Sequence, residues 1–281
     1  MRIVEHLLIG KYGTTDRCED GSIVTDSFVA VVDGSTTGVI GDSAATEPVP
    51  TAGRIARDEI CRAIEHLAPG ETARAAFIRL NEAIRDRCRA DGVLEAARGN
   101  PDVRPAAAVL VYSVHHSELW SVGDCTALVD GRLIRTESPL ERIAAEARSV
   151  VLQAALTEGA TEEDFALSDP GRAAITPIIE AARRFRNNPR IPEYCHLAVD
   201  GFFPESLEPR VIPVPRNTRE IVLATDGYPW VKPTLSESEE ELARLLAEDP
   251  LCFRRFKATK GRYQGTISFD DRCYIRIDAS E

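Results

Sequence analysis

Short apolar bursts of strand length stand at both ends of the chain and in its middle, and longer stretches with helical spacing lie between them. Arg2 to Ile9 and Ser27 to Val32 (SFVAVV) are β-branched and apolar, and the second runs into Asp33-Gly34, so each reads as a strand and the second ends in a turn. From Thr51 to Leu67, Ile55, Ile60, Ile64 and Leu67 fall near one helical face, with Pro69-Gly70 as the stop. Ala73 to Arg89 repeats that pattern through Ala76, Leu80, Ile84 and Cys88, which predicts an antiparallel helix pair. Beyond Gly99-Asn100-Pro101 the strand pattern returns at Ala106 to Val114, Glu118 to Val122, Thr126 to Val129 and Arg132 to Arg135. Asp130-Gly131 marks a hairpin between the last two, because a two-residue primed turn needs positive φ. Leu140 to Glu158 and Pro177 to Phe185 read as helices separated by a polar stretch. Ser236 to Glu248 reads as an acidic helix flanked by strands at Glu220 to Thr225 and Tyr274 to Ile277. His115-His116 are expected to alternate across a strand.

Runs of strands separated by runs of helices predict an α+β architecture rather than a parallel α/β sheet. No repeat or long linker interrupts the 281 residues, so one domain spanning 1–281 is expected. The balance of 34 Lys+Arg against 45 Asp+Glu, net −11, argues against nucleic-acid and anionic membrane partners. No apolar run reaches the roughly 18–20 residues that span a bilayer. The seven cysteines are scattered without a CxxC pair, as expected for reduced thiols in the cytoplasm.

The chemistry is signalled by aspartates placed where apolar runs stop: Val32-Asp33-Gly34, Thr225-Asp226-Gly227, Phe269-Asp270-Asp271 and Val122-Gly123-Asp124, with Glu19-Asp20 upstream. Any one of them is an ordinary turn. Brought to one sheet edge, they would repel one another and resist ionisation. A hard divalent cation resolves that conflict, since Mg²⁺ and Mn²⁺ take carboxylate, carbonyl and water oxygens.

The succession of Glu19-Asp20, VVDGSTTG, SVGDCTALVDGRLI, IVLATDGYPW and FDDRCYIRI resembles a divergent, bacterial-type member of the metal-dependent serine/threonine phosphatases, the protein phosphatase 2C family, in motif order from about Lys11 to Ile277. The resemblance implies a four-layer αββα sandwich, with two central antiparallel sheets flanked by antiparallel helix pairs. It also implies a site for two Mn²⁺ or Mg²⁺ ions that activate water against phosphoserine or phosphothreonine. On that resemblance, Asp33 bridges the ions, the Gly34 carbonyl binds the second, Asp226 and Asp270 hold the first, and Glu19 and Asp20 hold the second in part through water. Arg17 and Lys11 are rival phosphate-binding candidates, and Asp124 and Asp271 are outer candidates. The expected partner is a phosphoprotein or a small phosphorylated molecule, and the expected state is a cytoplasmic monomer.

The pattern departs from the family at Ser35, where members often carry His, and at Ala106-Ala107-Ala108, where hydroxyl residues are usual. A phosphatase-like protein that binds without hydrolysing is therefore a second reading. Arg54 and Arg57 are expected on a solvated helix face, as is the acidic run Glu237 to Glu241. Asn187-Asn188 and the stretch from Thr157 to Asp169 read either as a substrate flap or as a surface insertion.

Overall fold

A computed structural model describes residues 1–35, 50–136 and 138–280. The Thr36-Thr37-Gly38 end of the VVDGSTTG motif lies outside the described residues. In chain order the elements are β1 (Arg2–Ile9), β2 (Asp20–Val24), β3 (Phe28–Gly34), α1 (Ala52–Glu65), α2 (Ala73–Ala90) and α3 (Leu94–Gly99). The middle of the chain forms β4 (Ala107–Ser113), β5 (Glu118–Val122), β6 (Thr126–Val129), β7 (Arg132–Ile134), α4 (Pro139–Thr157), α5 (Glu162–Leu167) and α6 (Pro170–Ala182). The last part forms β8 (Arg210–Pro213), β9 (Glu220–Ala224), α7 (Leu235–Glu248) and β10 (Arg272–Asp278).

The strands form two antiparallel five-stranded sheets among the described residues, ordered β2-β3-β4-β5-β8 and β1-β10-β9-β6-β7. Strand β3 shows why they stack. Val29 and Val31 face the second sheet and meet Leu223, Ile275 and Ile277 in a shared interior, while Phe28, Ala30 and Val32 face the other way, against Ile60, Ile64, Phe77 and Leu80 of α1 and α2. Burial on both faces is what a strand of continuous apolar residues demands. The outer face of the second sheet packs Val222, Ala224 and Tyr274 against Leu242, Leu245 and Leu246 of α7. The result is an α+β sandwich with both sheets inside and helices outside, and β1 pairing β10 joins the two ends of the chain.

Threonine caps begin α1 and α2. Thr51 Oγ1 accepts from Arg54 N–H at the start of α1, and Thr72 Oγ1 from Ala75 N–H at the start of α2. The amphipathic pattern predicts α1, α2, α4 and α7 to within a few residues. It misses β2, α3, α5 and β8, whose short mixed sequences become regular only against neighbours.

Three expectations are corrected. His115-His116 lie in the turn between β4 and β5, where Ser117 takes φ 52°. Helix α6 starts at Pro170 and carries Pro177 in its interior, because Asp169 caps it by accepting from Arg172 N–H. The acidic run of α7 is not wholly solvated: Glu239 accepts two hydrogen bonds from Arg272, at 2.7 and 2.8 Å, and so braces the first residue of β10.

Candidate active site

Antiparallel pairing builds one half of the site. Asp20 at the start of β2 lies opposite Asp33 near the end of β3, and Asp33 lies opposite Ala108 of β4. The other half comes from the second sheet, where β9 and β10 are antiparallel neighbours, so that Asp226, just after β9, and Asp270-Asp271, just before β10, share one end. Asp270-Asp271 therefore precede a strand instead of ending one, as the apolar Ile267-Ser268-Phe269 run suggests; that run forms bends. Thr225 Oγ1 donates to Asp20 Oδ2 at 2.5 Å and joins the two halves.

These carboxylates, with Gly34, Asp124, Lys11 and Arg17, line one cleft of ≈ 1340 Å³. The Asp33 and Asp226 carboxyl groups lie within hydrogen-bonding reach of each other. Burial, followed by the charges of Asp270 and Asp124, raises Asp226 to about 7, against relief from Lys260 and from the Asp33 hydrogen bond. Asp33 is pushed well above the usual carboxylate range by burial, then by Asp226, Asp20, Asp124 and Asp270. Asp20 is raised likewise by burial and by Asp271, with the Thr225 hydroxyl opposing.

The remaining expected residues take different positions. Glu19 is buried, and its Oε1 accepts from Thr51 Oγ1 at 2.5 Å, which turns the carboxylate toward the positive end of α1. Both oxygens of Asp271 are engaged by backbone, Oδ1 by Lys11 N–H and Oδ2 by Glu19 N–H at 2.8 Å each, so Asp271 anchors the segment that carries Lys11 and Glu19. The Arg17 guanidinium stacks 4.1 Å over the Tyr12 ring at the cleft rim. Gly34 has a stricter reason to be glycine than access to its carbonyl: an added Cβ would lie 2.5 Å from the carbonyl oxygens of both Glu19 and Gly53. Gly123, at φ +91°, packs so closely on Ala108 that an added Cβ would lie 2.3 Å from the Ala108 Cβ.

Arg57 does not belong to a solvated face. Its Nη1 donates to the Cys18 carbonyl at 2.6 Å and its stem packs on Gly21, so it pins the entry to β2. Asn187 is equally structural, bonding the Ala198 carbonyl and Asp200 Oδ1 from a buried position. The stretch from Thr157 to Asp169 contains α5, whose Phe165 is buried with Leu152 and Phe253 while Ala166 and Leu167 line the cleft. Cys125 and Cys273 are buried and their thiols are pushed well up by burial, so neither is a ready nucleophile.

Two cleft residues escape the sequence reading. Glu141, in the first turn of α4, brings its carboxylate within 4.8 Å of those of Asp124 and Asp226. Lys260 places Nζ 2.5 Å from Asp270 Oδ2. Burial opposes its charge, but Asp270 and Asp226 outweigh that and hold the ammonium protonated. Neither position stands in a recognisable pattern; Glu141 is one acid among many in helical text, and Lys260 lies in a loop.

The donor set is oxygen only, concentrated and self-repelling, which is the chemistry that suits Mg²⁺ or Mn²⁺ and suits zinc or copper poorly. Among solved structures, the chain is similar to the Mycobacterium tuberculosis serine/threonine phosphatase PstP/Ppp, at 17% identity over 99% of each chain with a TM-score of 0.47. It is similar to Staphylococcus aureus serine/threonine phosphatase Stp1 at 13% identity, over 99% of this chain and 95% of that one, TM-score 0.47. It is also similar to RsbX in complex with magnesium at 12% identity, over 98% and 97% of the two chains, TM-score 0.45. No protein-family model matches the sequence, and no curated protein matches it.

Proposed function

We propose that this chain is a metal-dependent phosphoester hydrolase that removes phosphate from phosphoserine or phosphothreonine in proteins. One observation carries the reading: carboxylates from two different sheets, Asp20 and Asp33 on one and Asp226 and Asp270 on the other, meet at a single cleft floor, with Asp33 and Asp226 in hydrogen-bonding reach. A folded chain has little reason to gather like charges in this way unless cations offset them. In this proposal Asp33, Asp226 and Asp270, with Glu19, Asp20 and the Gly34 carbonyl, are the residues that would hold two divalent ions. Two divalent ions so held would supply Lewis-acid charge for the phosphoryl oxygens and make water a better nucleophile.

The chain's own residues do the rest. Lys11 and Arg17 stand at the cleft wall, where they can receive a phosphate's outward oxygens. Asp271 fixes the Lys11 backbone and thereby the reach of that side chain. The cleft exceeds the ~300–1,000 Å³ pockets that enclose small ligands, which favours a phosphorylated side chain presented on a polypeptide. Seven free thiols support a reducing, cytoplasmic setting, and the β1–β10 pairing supports treating 1–281 as one domain.

Phosphate release from a phosphoserine peptide and from an aryl phosphate, with and without Mn²⁺, tests the reading. Mn²⁺-dependent turnover that is lost in Asp226→Ala supports it. Equal rates for wild type and Asp226→Ala, or Mn²⁺ binding with no turnover on either substrate, would overturn it.

A further inference from the structure

The acidic floor meets a cation of the chain's own. Among the described residues, Lys260 is the Lys or Arg side chain in ion-pair contact with the Asp20, Asp33, Asp226 and Asp270 cluster, through Asp270 Oδ2 at 2.5 Å. Lys260 lies in the segment between α7 and β10, and the backbone on both sides of it is clamped. Arg148, fully buried and paired with Asp169 at 2.7 Å, donates to the carbonyls of Leu251, Cys252 and Ala258 at 2.9–3.1 Å. Arg172 donates to the Thr259 carbonyl at 3.0 Å, and Arg262 N–H to the Pro250 carbonyl at 2.8 Å. Gly261 packs against Leu251 so closely that a Cβ would lie 2.6 Å from the Leu251 oxygen.

The root of the side chain is therefore fixed, while its stem has freedom: 32% of the Lys260 side chain is exposed, and it lines the cleft. A cation on a short flexible tether has a high effective concentration at the carboxylates within its reach. An ammonium on Asp270 Oδ2 and a divalent ion on the same carboxylate repel each other and draw on the same lone pairs.

We propose that Lys260 is a resident counter-ion of the carboxylate cluster, which occupies Asp270 in the metal-free protein and competes with a divalent cation for it. The proposal rests on the metal-binding reading above and adds that metal entry displaces the ammonium into the cleft. Lys260 thus sets the metal concentration at which the site loads.

Isothermal titration of the full chain with MnCl₂ tests this without any substrate. Lys260→Met removes the competing charge while keeping a stem of similar length, and is expected to bind Mn²⁺ about tenfold or more tightly than wild type. Lys260→Arg, whose guanidinium grips a carboxylate through two hydrogen bonds, is expected to bind Mn²⁺ more weakly than wild type. It retains a positive charge against the acidic floor, so it serves where the Met variant does not fold. Affinities within about twofold across wild type and variants, or weaker binding in Lys260→Met, overturn the counter-ion role and leave the metal site standing. No Mn²⁺ binding to any of the three chains overturns both.

Discussion

Thr225 Oγ1 donates to Asp20 Oδ2 at 2.5 Å and accepts from Cys273 N–H at 2.8 Å, so a single buried hydroxyl links β9, β10 and β2 and, through them, the two sheets at the cleft floor. Thr225→Val keeps the shape but removes both bonds, leaving a buried N–H and a buried carboxylate without this partner. The expected loss is about 1–3 kcal/mol in urea unfolding, with weakened Mn²⁺ binding. Thr225→Ser, which keeps the hydroxyl, is expected to retain most of both.

Stability of the metal-free protein is expected to fall as pH rises from about 4 towards 7. Asp226 is raised from 3.8 to about 7 by burial and by Asp270 and Asp124, so over this window the folded state holds a proton that the unfolded chain has released. Its contribution is fully present below the unfolded value and is lost as pH passes through the folded one. Asp33 and Asp20, raised in the same direction, add to the slope. Thermal melts in chelator across this range check the sign, and Asp226→Asn is expected to flatten the curve.

Saturating Mn²⁺ is expected to reverse that trend, because metal binds the deprotonated carboxylates and stabilises only the folded state. Asp33→Asn separates the two effects. Relieved of a carboxyl group whose ionisation its acidic neighbours oppose, it is expected to melt above wild type in chelator at neutral pH and to lose the Mn²⁺-dependent rise, as read by melts at several metal concentrations.

Arg148→Met is expected to cost about 3–5 kcal/mol in chemical denaturation. The change removes the ion-pair partner of Asp169, which is 4% exposed and keeps its hydrogen bonds from Arg172 N–H and the Tyr263 hydroxyl, and it leaves the carbonyls of Leu251, Cys252 and Ala258 without their guanidinium donor. A loss under about 1 kcal/mol would show that the segment carrying Lys260 is held by other contacts.

Gly34→Ala is expected to destabilise by about 1–3 kcal/mol and to disturb metal binding as well. Its Cβ would meet the Glu19 and Gly53 carbonyl oxygens, both backbone atoms that cannot rotate away. Thermal melts and Mn²⁺ titration of the same variant measure the two effects.

By itself, the sequence determined the elements whose local pattern and burial agree. Helices α1, α2 and α7 have one apolar stripe each, and β3, β4 and β9 are apolar on both faces, so period and continuity were enough. It also marked Asp33, Asp226 and Asp270 as a recurring departure from apolar text. What it left open depends on contacts between segments far apart in the chain. Strand β2 exists because β3 pairs with it, and Arg57 and Asn187 turn inward because carbonyls 11 to 39 residues away accept from them. Only the tertiary structure put Glu141 beside Asp124 and Asp226, and Lys260 on Asp270, because a side chain's charge partner is set by where the backbone is anchored and not by its neighbours in sequence.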